Sequence, residues 1–497
     1  MDYILGVDIG TGSTKAVAVG TNHMALKSSQ YGYHTSTTSK GYSEQNPEHI
    51  WEAFKKCIVE ISLKMNSSPT VISLSSAMHS VIAVDEQCKV LAPMMTWADS
   101  RGAEVAERLL ATDLGHQLYE ITGTPIHSMS PLCKIMWIKE NDPKLFYSAY
   151  KFISIKEYIW YQLFHVFQAD YSIASCTGLM DIKNLCWSEL AMQTAGINTN
   201  RLSALVQTTY NRKEIHPDSD LSFLPKGIGF VIGASDGCLA NLGTGAIKPG
   251  IAALTIGTSG ALRVAGQQPV LNKEAMTFSY LLDDDLFING GPVSNGGIAL
   301  KWHLKTMLQK VELNVEDYSW ELSKIANVKP GAEGLIFLPY LQGERAPIWD
   351  SKSCGTFFGL GLNHRHTHLT RAVVEGICFA LKDVLLSLEA AGQNIAQLNV
   401  SGGFVNSEVW LQILADITGK KLVLVAIEDA SAIGAAYLAV KAVTGTYPAP
   451  DRKQEQDILP DQANFITYES YFKMYKKLYS SLKGVMHELH DLKNTVQ

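Results

Sequence analysis

Hydrophobic and polar residues alternate along the chain with two different periods. Short apolar runs such as residues 71–75 have the length of strands, and longer stretches place apolar residues every three or four positions. The clearest of the longer stretches is residues 47–63, whose apolar positions are Ile50, Phe54, Ile58 and Ile61. We therefore expect strands to alternate with helices that bury one face, which predicts α/β domains with mixed sheets.

Two segments have the pattern of a β-hairpin with a small, polar turn. In the first, apolar residues flank the turn Gly10-Thr11-Gly12-Ser13-Thr14-Lys15, and in the second they flank Gly257-Thr258-Ser259-Gly260. The two Gly-Thr pairs lie 247 residues apart, which is almost half of the 497-residue chain. A similar hairpin at the start of each half predicts two copies of one domain plan. Chance similarity between two short turns is the alternative.

The second half continues the same alternation. Residues 398–400 predict a strand, residues 409–418 a helix and residues 422–426 another strand. Close to the carboxy terminus, one long amphipathic helix is predicted by the apolar residues Tyr471, Tyr475, Leu478, Leu482, Val485, Leu489 and Leu492. A solvated face of this helix is predicted by the lysines Lys473, Lys476, Lys477 and Lys483, and a helix lying on a membrane surface is the alternative.

Composition limits the classes of protein that fit these elements. Hydrophobic residues make up 46% of the chain and charged residues 18%, below the about 25% usual for soluble domains, so a disordered chain is excluded. The net charge of −6 gives no reason to expect a nucleic acid or an anionic membrane as partner. The eight cysteines show neither Cys-x-x-Cys nor zinc spacing, and the amino terminus has no basic signal region. We expect a reduced, cytoplasmic, soluble protein.

The turns of both hairpins have residue types that suit a phosphate group. Converging backbone amides need small side chains, hydroxyls add donors, and one cation offsets the charge. The turn 10–15 meets all three needs, and the turn 257–260 meets the first two. Most such turns only reverse the chain, but two of them in equivalent positions favour binding of a nucleotide. The Walker pattern is absent, so a P-loop protein is not expected.

Two aspartates end apolar strands beside glycine-rich segments. Asp8 precedes the first turn, where a carboxylate next to a phosphate needs a cation between them, and Mg²⁺ is the natural choice. The alternative is that Asp8 accepts hydrogen bonds from the turn amides. Asp236 is the only charge between Lys226 and Lys248 and is expected in an acidic turn after a strand. It either binds backbone amides or acts as a general base.

The segment 233–237 also matches the Gly-x-Ser-x-Gly motif of α/β-hydrolases, with Ser235 as the nucleophile. A hydrolase would need a later histidine, for which the chain offers His303, His364, His366 and His368. The sequence has no His-Gly-Gly-Gly motif to form an oxyanion hole. A hydrolase function would also leave the two Gly-Thr hairpins unexplained. The hydrolase is therefore the weaker interpretation of this segment.

Polar and aromatic residues of the first half supply what a polyol or sugar acid requires. Residues 76–80 and 95–101 follow predicted strands. Together they supply an apolar surface, hydrogen-bonding groups and a cation, through the residues His79, Trp97, Asp99 and Arg101. Each of these residues also has a structural alternative, such as a local ion pair between Asp99 and Arg101. In the second half, residues 290–297 and 401–407 are glycine-rich helix starts that either bind a nucleotide or only cap helices.

Together, these segments resemble the FGGY carbohydrate kinases, which belong to the fold superfamily of sugar kinases, actin and heat-shock ATPases. The resemblance extends over nearly the whole chain and is carried by residues 8–15, 129–141, 235–237 and 355–375. The last of these places Gly359, His368, Ala372 and Glu375 in the family's pattern. Within the family, the chain resembles the bacterial gluconate kinases most. The supporting segments are residues 76–80, 95–99, 152–158 and 170–175. Met78-His79 and residues 338–347 also resemble xylulose kinases.

The resemblance implies an α/β fold of two actin-like (ribonuclease H-like) domains, residues 1–245 and 246–497, with mixed β-sheets flanked by helices and an ATP cleft between them. Asp236 would be the catalytic base, and Asp8 would hold Mg²⁺ through water. The residues implied to contact ATP are Thr11, Gly12, Ser13, Lys15, Gly257, Thr258, Gly296, Gly403, Asn406 and Ser407. The residues implied to contact the sugar are Met78, His79, Trp97, Asp99, Arg101 and Asp236.

We therefore expect an ATP- and Mg²⁺-dependent kinase that converts a sugar acid, with D-gluconate first, to its phosphate. Arg101 or Lys156 would bind the substrate carboxylate, and Gly12 stands where the family's Gly-Thr-Thr turn has a second threonine. The alternatives are a xylulose kinase or other FGGY sugar or polyol kinase, and a non-enzymatic ATP switch of the actin type. The expected partner is a small sugar or sugar acid, without nucleic acid or membrane, and a homodimer is left open.

Overall fold

A computed structural model describes residues 2–425, 427–448 and 457–495. Within these ranges the chain forms two compact units. Unit 1 contains residues 2–247, 265–289 and 427–448, and unit 2 contains residues 248–264, 290–425 and 457–495. The division at residues 245/246, which follows from the resemblance, stays a prediction.

The elements alternate between strand and helix. The strands are β1 (Tyr3–Ile9), β2 (Ser13–Gly20), β3 (Ala25–Gly32), β4 (Ser36–Thr37), β5 (Ser43–Gln45), β6 (Val71–Ser76), β7 (Ile82–Val84), β8 (Met94–Met95), β9 (Lys151–Ile153), β10 (Gln168–Asp170), β11 (Met180–Asp181), β12 (Cys186–Trp187), β13 (Ala204–Val206), β14 (Asn211–Arg212), β15 (Gly229–Ser235), β16 (Ile251–Ile256), β17 (Gly260–Gly266), β18 (Phe278–Asp283), β19 (Leu286–Val293), β20 (Ile336–Leu338), β21 (Thr356–Phe358), β22 (Gln397–Ser401), β23 (Lys421–Leu424) and β24 (Asp457–Ile458).

The α-helices are α1 (Pro47–Met65), α2 (Ala103–Leu110), α3 (Asp113–Thr122), α4 (Pro131–Asn141), α5 (Pro143–Ser148), α6 (Ile155–Phe164), α7 (Tyr171–Ser175), α8 (Glu189–Ala195), α9 (Asp236–Gly243), α10 (Gly297–Leu308), α11 (Val315–Lys324), α12 (His366–Ala390), α13 (Glu408–Thr418), α14 (Ala430–Thr444) and α15 (Gln462–Thr495). Short 3₁₀ turns occupy Thr199–Arg201, Ile325–Asn327, Ala332–Gly334 and Gly403–Asn406. Among the described residues, we find no helix with the length and apolar character that a bilayer crossing requires.

The main sheet of unit 1 has the strand order β14-β15-β6-β1-β2-β3. The hairpin of β1 and β2 is antiparallel, as predicted, and pairs Asp8 with Lys15. Strands β1, β6 and β15 run parallel, so their carboxyl ends lie at one edge of the sheet. Side chains of β2 alternate between two apolar clusters, with Ala16 and Ala18 in the one that contains α1 and Val17 and Val19 in the other. Both faces of the sheet are therefore covered.

Helices α9 and α14 pack almost backbone to backbone in unit 1. A methyl group built at Gly434 would lie 2.0 Å from the carbonyl oxygen of Leu239, and one at Gly243 would lie 2.0 Å from that of Ala430. Helix α14 also approaches β1, because a methyl group at Gly6 would lie 1.8 Å from the carbonyl oxygen of Ala432. Glycine at these positions lets the carboxyl end of α9 pack against the amino end of α14 and lets α14 pack against β1.

In unit 2, β17, β16, β22, β23 and β24 are consecutive strands of one sheet. The hairpin of β16 and β17 is antiparallel, as the sequence predicted, and β16, β22 and β23 run parallel. The apolar core of this unit is centred on α12, and α13 and α15 contribute residues to it. Two strands and one helix predicted for residues 398–426 are thus confirmed to within a few residues among those described, and residue 426 itself lies outside the described ranges.

Two details of the predicted elements are wrong. Asp236 is not in a turn but is the first residue of α9. Helix α15 is present, but its buried face is formed by Tyr468, Phe472, Tyr475, Leu478 and Met486. Val485, Leu489 and Leu492 were expected to be buried and are 61%, 44% and 62% exposed. Their apolar period continues past the region where the core of unit 2 covers the helix. The four predicted lysines of α15 are exposed.

We predict that Gly434→Ala destabilises the protein by roughly 1–3 kcal/mol, because the added methyl group must push α14 away from α9. Gly484→Ala is the matched control, since Gly484 lies in α15 with no atom within 4 Å of the added methyl group. The control is expected to be neutral or to stabilise by up to about 1 kcal/mol. Calorimetric melting of the three proteins measures the difference. Equal melting temperatures would show that α9 and α14 do not pack this closely.

Candidate active site

Four charged residues of unit 1 meet at the edge where β1 and β6 end and where α9 and α14 begin. Asp8 lies opposite Ser75 in the parallel pair of β1 and β6, and the Ser75 hydroxyl donates a 2.6 Å hydrogen bond to its carboxylate. Lys15 lies opposite Asp8 in the hairpin, and its Nζ is 2.6 Å from the carboxylate of Asp429, the residue before α14. The fourth residue, Asp236, begins α9.

The electrostatics of this group are set first by the burial of Asp8 and then by the negative charges beside it. Loss of water around Asp8 raises the pKa of its carboxyl to about 7, and the charges of Asp236 and Asp429 act in the same direction. The hydrogen bond from Ser75 and the charge of Lys15 lower that pKa but do not cancel the increase. Asp236 and Asp429 therefore both lie within electrostatic reach of Asp8, and Lys15 is paired with Asp429. We call Asp8, Lys15, Asp236 and Asp429 the charged cluster.

The position of Asp236 is set by an irregular strand. The register of β15 against β6 shifts between Val231 and Ala234, which marks a β-bulge. Gly233 lies in this bulge with φ +78°, and a methyl group there would lie 1.7 Å from the carbonyl oxygen of Leu74, so only glycine fits. The bulge leads directly into Ser235 and Asp236. Because bulges redirect the chain, this one turns the start of α9 toward the sheet edge.

Ser235 does not have the environment of a nucleophile. Its side chain is completely buried, and its Oγ accepts a 3.0 Å hydrogen bond from the hydroxyl of Ser172. The amide of Ser235 in turn donates to the Ser172 Oγ at 3.0 Å. A serine nucleophile must reach a substrate carbonyl, so this burial argues against the hydrolase interpretation of residues 233–237.

The turn of the first hairpin is exposed and held from its outer side. The Tyr33 hydroxyl donates to the carbonyl of Gly10, and the amide group of Gln45 donates to that of Thr11. A methyl group built at Gly12 meets no atom within 4 Å, so the backbone is open to a ligand there. Ser13 Oγ accepts a 2.9 Å bond from the Gln30 side chain. This turn therefore offers an accessible backbone beside Lys15.

One predicted sugar residue, Trp97, contacts this turn, and two others, Met78 and His79, lie in a neighbouring loop. The Trp97 indole donates a 3.0 Å hydrogen bond to Thr11 Oγ1. His79 has φ +67°, its Nδ1 is 2.8 Å from the carbonyl oxygen of Cys176, and Met78 beside it is half-buried. Lys134 supports both loops, because its Nζ donates to the carbonyls of His79 and Thr96 at 2.6 Å each. Burial lowers the pKa of Lys134 to about 7.

Asp99 and Arg101 form the local ion pair that was the structural alternative. Asp99 is completely buried, and the Arg101 guanidinium donates to its carboxylate and, at 2.7 Å, to that of Glu44. The Arg101 guanidinium also lies 3.9 Å from the ring centre of Tyr42. Lys156 is likewise buried, with its Nζ 2.7 Å from the carboxylate of Asp170. Both cations considered for the substrate carboxylate are thus already paired.

Unit 2 contains a pocket of about 410 Å³ at the tip of the second hairpin. Its lining includes five predicted ATP residues, Gly257, Thr258, Gly403, Asn406 and Ser407. Apolar and aromatic side chains from α10, α11 and the segment 404–410 form the rest, among them Ile298, Val315, Tyr318, Phe404 and Trp410. Methyl groups built at Gly257 or Gly403 meet nothing within 4 Å. An apolar pocket bordered by open backbone suits a planar base with a polar tail.

Gly296, the sixth predicted ATP residue of unit 2, does not line this pocket. A methyl group there would lie 2.5 Å from the carbonyl oxygen of Ser259, and the Gly296 amide donates to the carbonyl of Thr258 at 3.2 Å. Gly296 therefore allows α10 to begin against the hairpin turn. Ser407 lines the pocket and also caps α13, because its hydroxyl accepts from the amide of Trp410 at 3.3 Å.

The sequence interpretation missed Asp429, Ser75 and Lys134. Asp429 lies 414 residues from Lys15, and only the packing of α14 against β1 brings the two together. Ser75 could have been found from the strand pairing, since it is opposite Asp8. Lys134 lies within residues 129–141, a segment that carried the resemblance, but nothing in its neighbourhood indicated a buried amine.

Comparisons with known proteins identify the family of this chain. The model of the FGGY family of carbohydrate kinases matches over residues 3–243 for its N-terminal domain and 252–443 for its C-terminal domain. A gluconokinase of Bacillus subtilis (strain 168) is 42% identical over 450 residues, 88% of this chain and 87% of that protein.

Two solved structures are similar over nearly the whole chain. The gluconate kinase from Lactobacillus acidophilus has a TM-score of 0.90 and 32% identity, covering 97% of this chain and 98% of its own. The ligand-bound xylulose kinase from the same organism has a TM-score of 0.92 and 31% identity, covering 98% and 100%. The protein is therefore a phosphotransferase with a hydroxyl acceptor, and the chain belongs to the FGGY family of carbohydrate kinases.

Proposed function

We propose that this kinase uses ATP and Mg²⁺ to phosphorylate the terminal hydroxyl of D-gluconate, forming 6-phosphogluconate. The observation that carries the proposal is the charged cluster beside the open turn 10–15. Family membership supports ATP as the phosphoryl donor and a small sugar as the acceptor. The 42% identity with a protein named gluconokinase supports the sugar acid. A homodimer and a cytoplasmic location stay predictions from the sequence.

In the proposed mechanism, Asp236 accepts the proton of the attacking hydroxyl. A carboxylate at the first residue of a helix is held by the backbone, and here the amide of Gly237 donates to Asp236 Oδ1 at 2.7 Å. Phosphoryl transfer proceeds through a loose transition state, so positioning and charge neutralisation contribute more than covalent chemistry. Lys15 and the amides of the turn 10–13 would bind the transferred phosphoryl group. The pocket of unit 2 would bind the base and ribose of ATP.

The charged cluster fits a magnesium ion. The carboxylates of Asp236 and Asp429 lie near that of Asp8, and their charges contribute to the raised pKa of Asp8. A divalent cation would relieve that repulsion, and oxygen ligands are those that Mg²⁺ prefers. Asp8 would hold the ion through water. When bound, Mg²⁺ neutralises charge on the phosphate oxygens.

The proposed sugar site uses Trp97 and Met78 as the apolar side and His79 as a polar contact. Arg101 would have to leave Asp99 and Glu44 to bind a third carboxylate, and Lys156 would have to leave a buried partner. The pairing of both cations favours recognition of the gluconate carboxylate by other groups. Asp99 and Arg101 would then support the sugar site instead of touching the sugar.

A xylulose kinase is the second candidate, because the xylulose kinase structure is as similar as the gluconate kinase structure. We expect ADP release with D-gluconate to exceed that with D-xylulose by at least about tenfold in kcat/KM, since removal of one well-made polar contact costs at least this much. A coupled ADP assay with both substrates, and with glycerol as a third, measures this ratio. Preference for xylulose would replace gluconate in the proposal.

Asp236→Asn is predicted to lower kcat by about 10²–10⁴, the range for loss of a general base, with little change in the KM for ATP. The matched control is Asp218→Asn, because the Asp218 side chain is 80% exposed on the same unit. Steady-state kinetics of both variants with gluconate separate the two. A kcat for Asp236→Asn equal to that of the control would contradict the base assignment.

Asp8→Asn is predicted to stabilise the metal-free protein more at pH 8 than at pH 5. The folded-state pKa of Asp8, about 7, lies above the ordinary value near 3.9, so the folded state retains a proton that the unfolded state loses between these values. The free energy of unfolding contributed by Asp8 therefore falls as pH rises through this window. Melting temperatures in EDTA at the two pH values measure the difference.

Asp285→Asn, at an exposed aspartate of the same unit, should show no such pH dependence. A stability difference between Asp8→Asn and the parent protein that is the same at pH 5 and pH 8 would disprove the raised pKa.

Gly12→Thr, which introduces the family's threonine, is predicted to fold with its stability changed by less than about 0.5 kcal/mol, because the position is exposed and open. We expect kcat to change while the KM for ATP stays within about twofold, since the backbone donor is kept and a hydroxyl donor is added. Kinetics over a range of ATP concentrations test this. A large rise in KM would show that the side chain blocks the turn.

A further inference from the structure

A short buried helix lies under the start of α9. Helix α7 (Tyr171–Ser175) has only five residues, so it cannot be stable through its own backbone bonds and depends on contacts with the rest of unit 1. Its residue Ser172 is completely buried and makes two hydrogen bonds with Ser235. The Ser172 hydroxyl donates to Ser235 Oγ, and the same oxygen accepts from the Ser235 amide, each at 3.0 Å.

These two bonds act on the residue that precedes the proposed base. Ser235 is the last residue of β15, directly after the bulge at Gly233, and Asp236 follows it as the first residue of α9. The orientation of the peptide between Ser235 and Asp236 fixes the direction in which the Asp236 side chain leaves the backbone. The Ser235 nitrogen is two covalent bonds from the carbonyl carbon of this peptide. A hydrogen bond from that nitrogen therefore restrains the orientation of the peptide. From the other side, the Ser431 hydroxyl donates to the Asp236 carbonyl at 3.2 Å.

Helix α7 is itself anchored by a buried ion pair. Asp170 precedes the helix, and its Oδ1 accepts from the amide of Ile173 at 3.0 Å. The other carboxylate oxygen lies 2.7 Å from Lys156 Nζ, and both side chains are only 1% exposed. A charge pair buried to this extent is strongly destabilised when one partner is lost, so it holds α7 in one place. This contact gives Lys156 a role other than binding the substrate carboxylate.

We infer that Ser172 is a positioning residue for Asp236, and that the pair of Lys156 and Asp170 fixes the helix from which Ser172 acts. The inference rests on the proposed function, in which Asp236 is the base. Without the Ser172 hydroxyl, the Ser235 amide loses its acceptor in a buried site, and the start of α9 shifts to find another. A shift of about 1 Å at a reacting group can lower the rate by 10²-fold.

The test compares Ser172→Ala with Ser175→Ala. Ser175 belongs to the same helix, is equally buried and also uses its hydroxyl twice, as donor to the Ser172 carbonyl at 2.7 Å and as acceptor from the Leu281 amide at 3.0 Å. It makes neither of the bonds to Ser235. Steady-state kinetics with gluconate and ATP, together with melting temperatures, are measured for both variants.

We expect Ser172→Ala to lower kcat by about tenfold to 10²-fold with both KM values within about twofold, since only the chemical step depends on the orientation of the base. Ser175→Ala should keep kcat within about twofold of the parent value, even if its melting temperature falls as far as that of Ser172→Ala. Equal kcat values in the two variants would overturn the inference, because a loss of helix stability would then explain both.

A double-mutant cycle separates this inference from the proposed function. In the background of Asp236→Asn, removal of the Ser172 hydroxyl should change the residual turnover by less than about twofold, because the group that it positions is gone. A further tenfold fall in that background would show that Ser172 acts independently of Asp236 and would overturn the inference. Full activity of Asp236→Asn alone would instead reject the base assignment, whatever Ser172→Ala does.

Discussion

The burial of Asp8 beside two further carboxylates at one sheet edge is the constraint on which the proposed active site of unit 1 depends. The charges of Asp236 and Asp429 both act on Asp8, and Lys15 is paired with Asp429. Bringing like charges together costs free energy that the fold must supply elsewhere. Under the proposed function, a divalent cation that enters this site recovers part of that free energy.

The remaining structure of unit 1 can be understood as the means of holding these charges in place. Glycines at positions 6, 243 and 434 allow α9 and α14 to pack without intervening side chains, which carries Asp236 and Asp429 to the end of β1. The bulge at Gly233 directs the chain into α9. Lys134 performs a similar task for the proposed sugar loops, since it ties the carbonyls of His79 and Thr96 together. In each case a buried backbone or amine contact fixes a group that has a role in the proposed function.

Much of this arrangement could be predicted from the sequence, because it depends on local patterns. Both hairpins and helix α1 follow from apolar periods and turn residues, and each was found. The end of α15 was predicted wrongly at Val485, Leu489 and Leu492, since an apolar period does not reveal where the covering core stops. Asp429 could not be found, because its partner Lys15 is 414 residues away. The residues Asp99 and Arg101 were named, but only burial shows that they bind each other.

The most direct test of this account is the number of protons released when Mg²⁺ binds near pH 7. Calorimetric titration of Mg²⁺ in two buffers of different ionisation enthalpy measures that number for the parent protein and for Asp8→Asn. The account predicts that the parent protein releases a substantial fraction of a proton, because Mg²⁺ ionises a carboxyl whose pKa is about 7, and that Asp8→Asn releases much less. Equal proton release by the two proteins would contradict the claim that crowded carboxylates prepare this site for a cation.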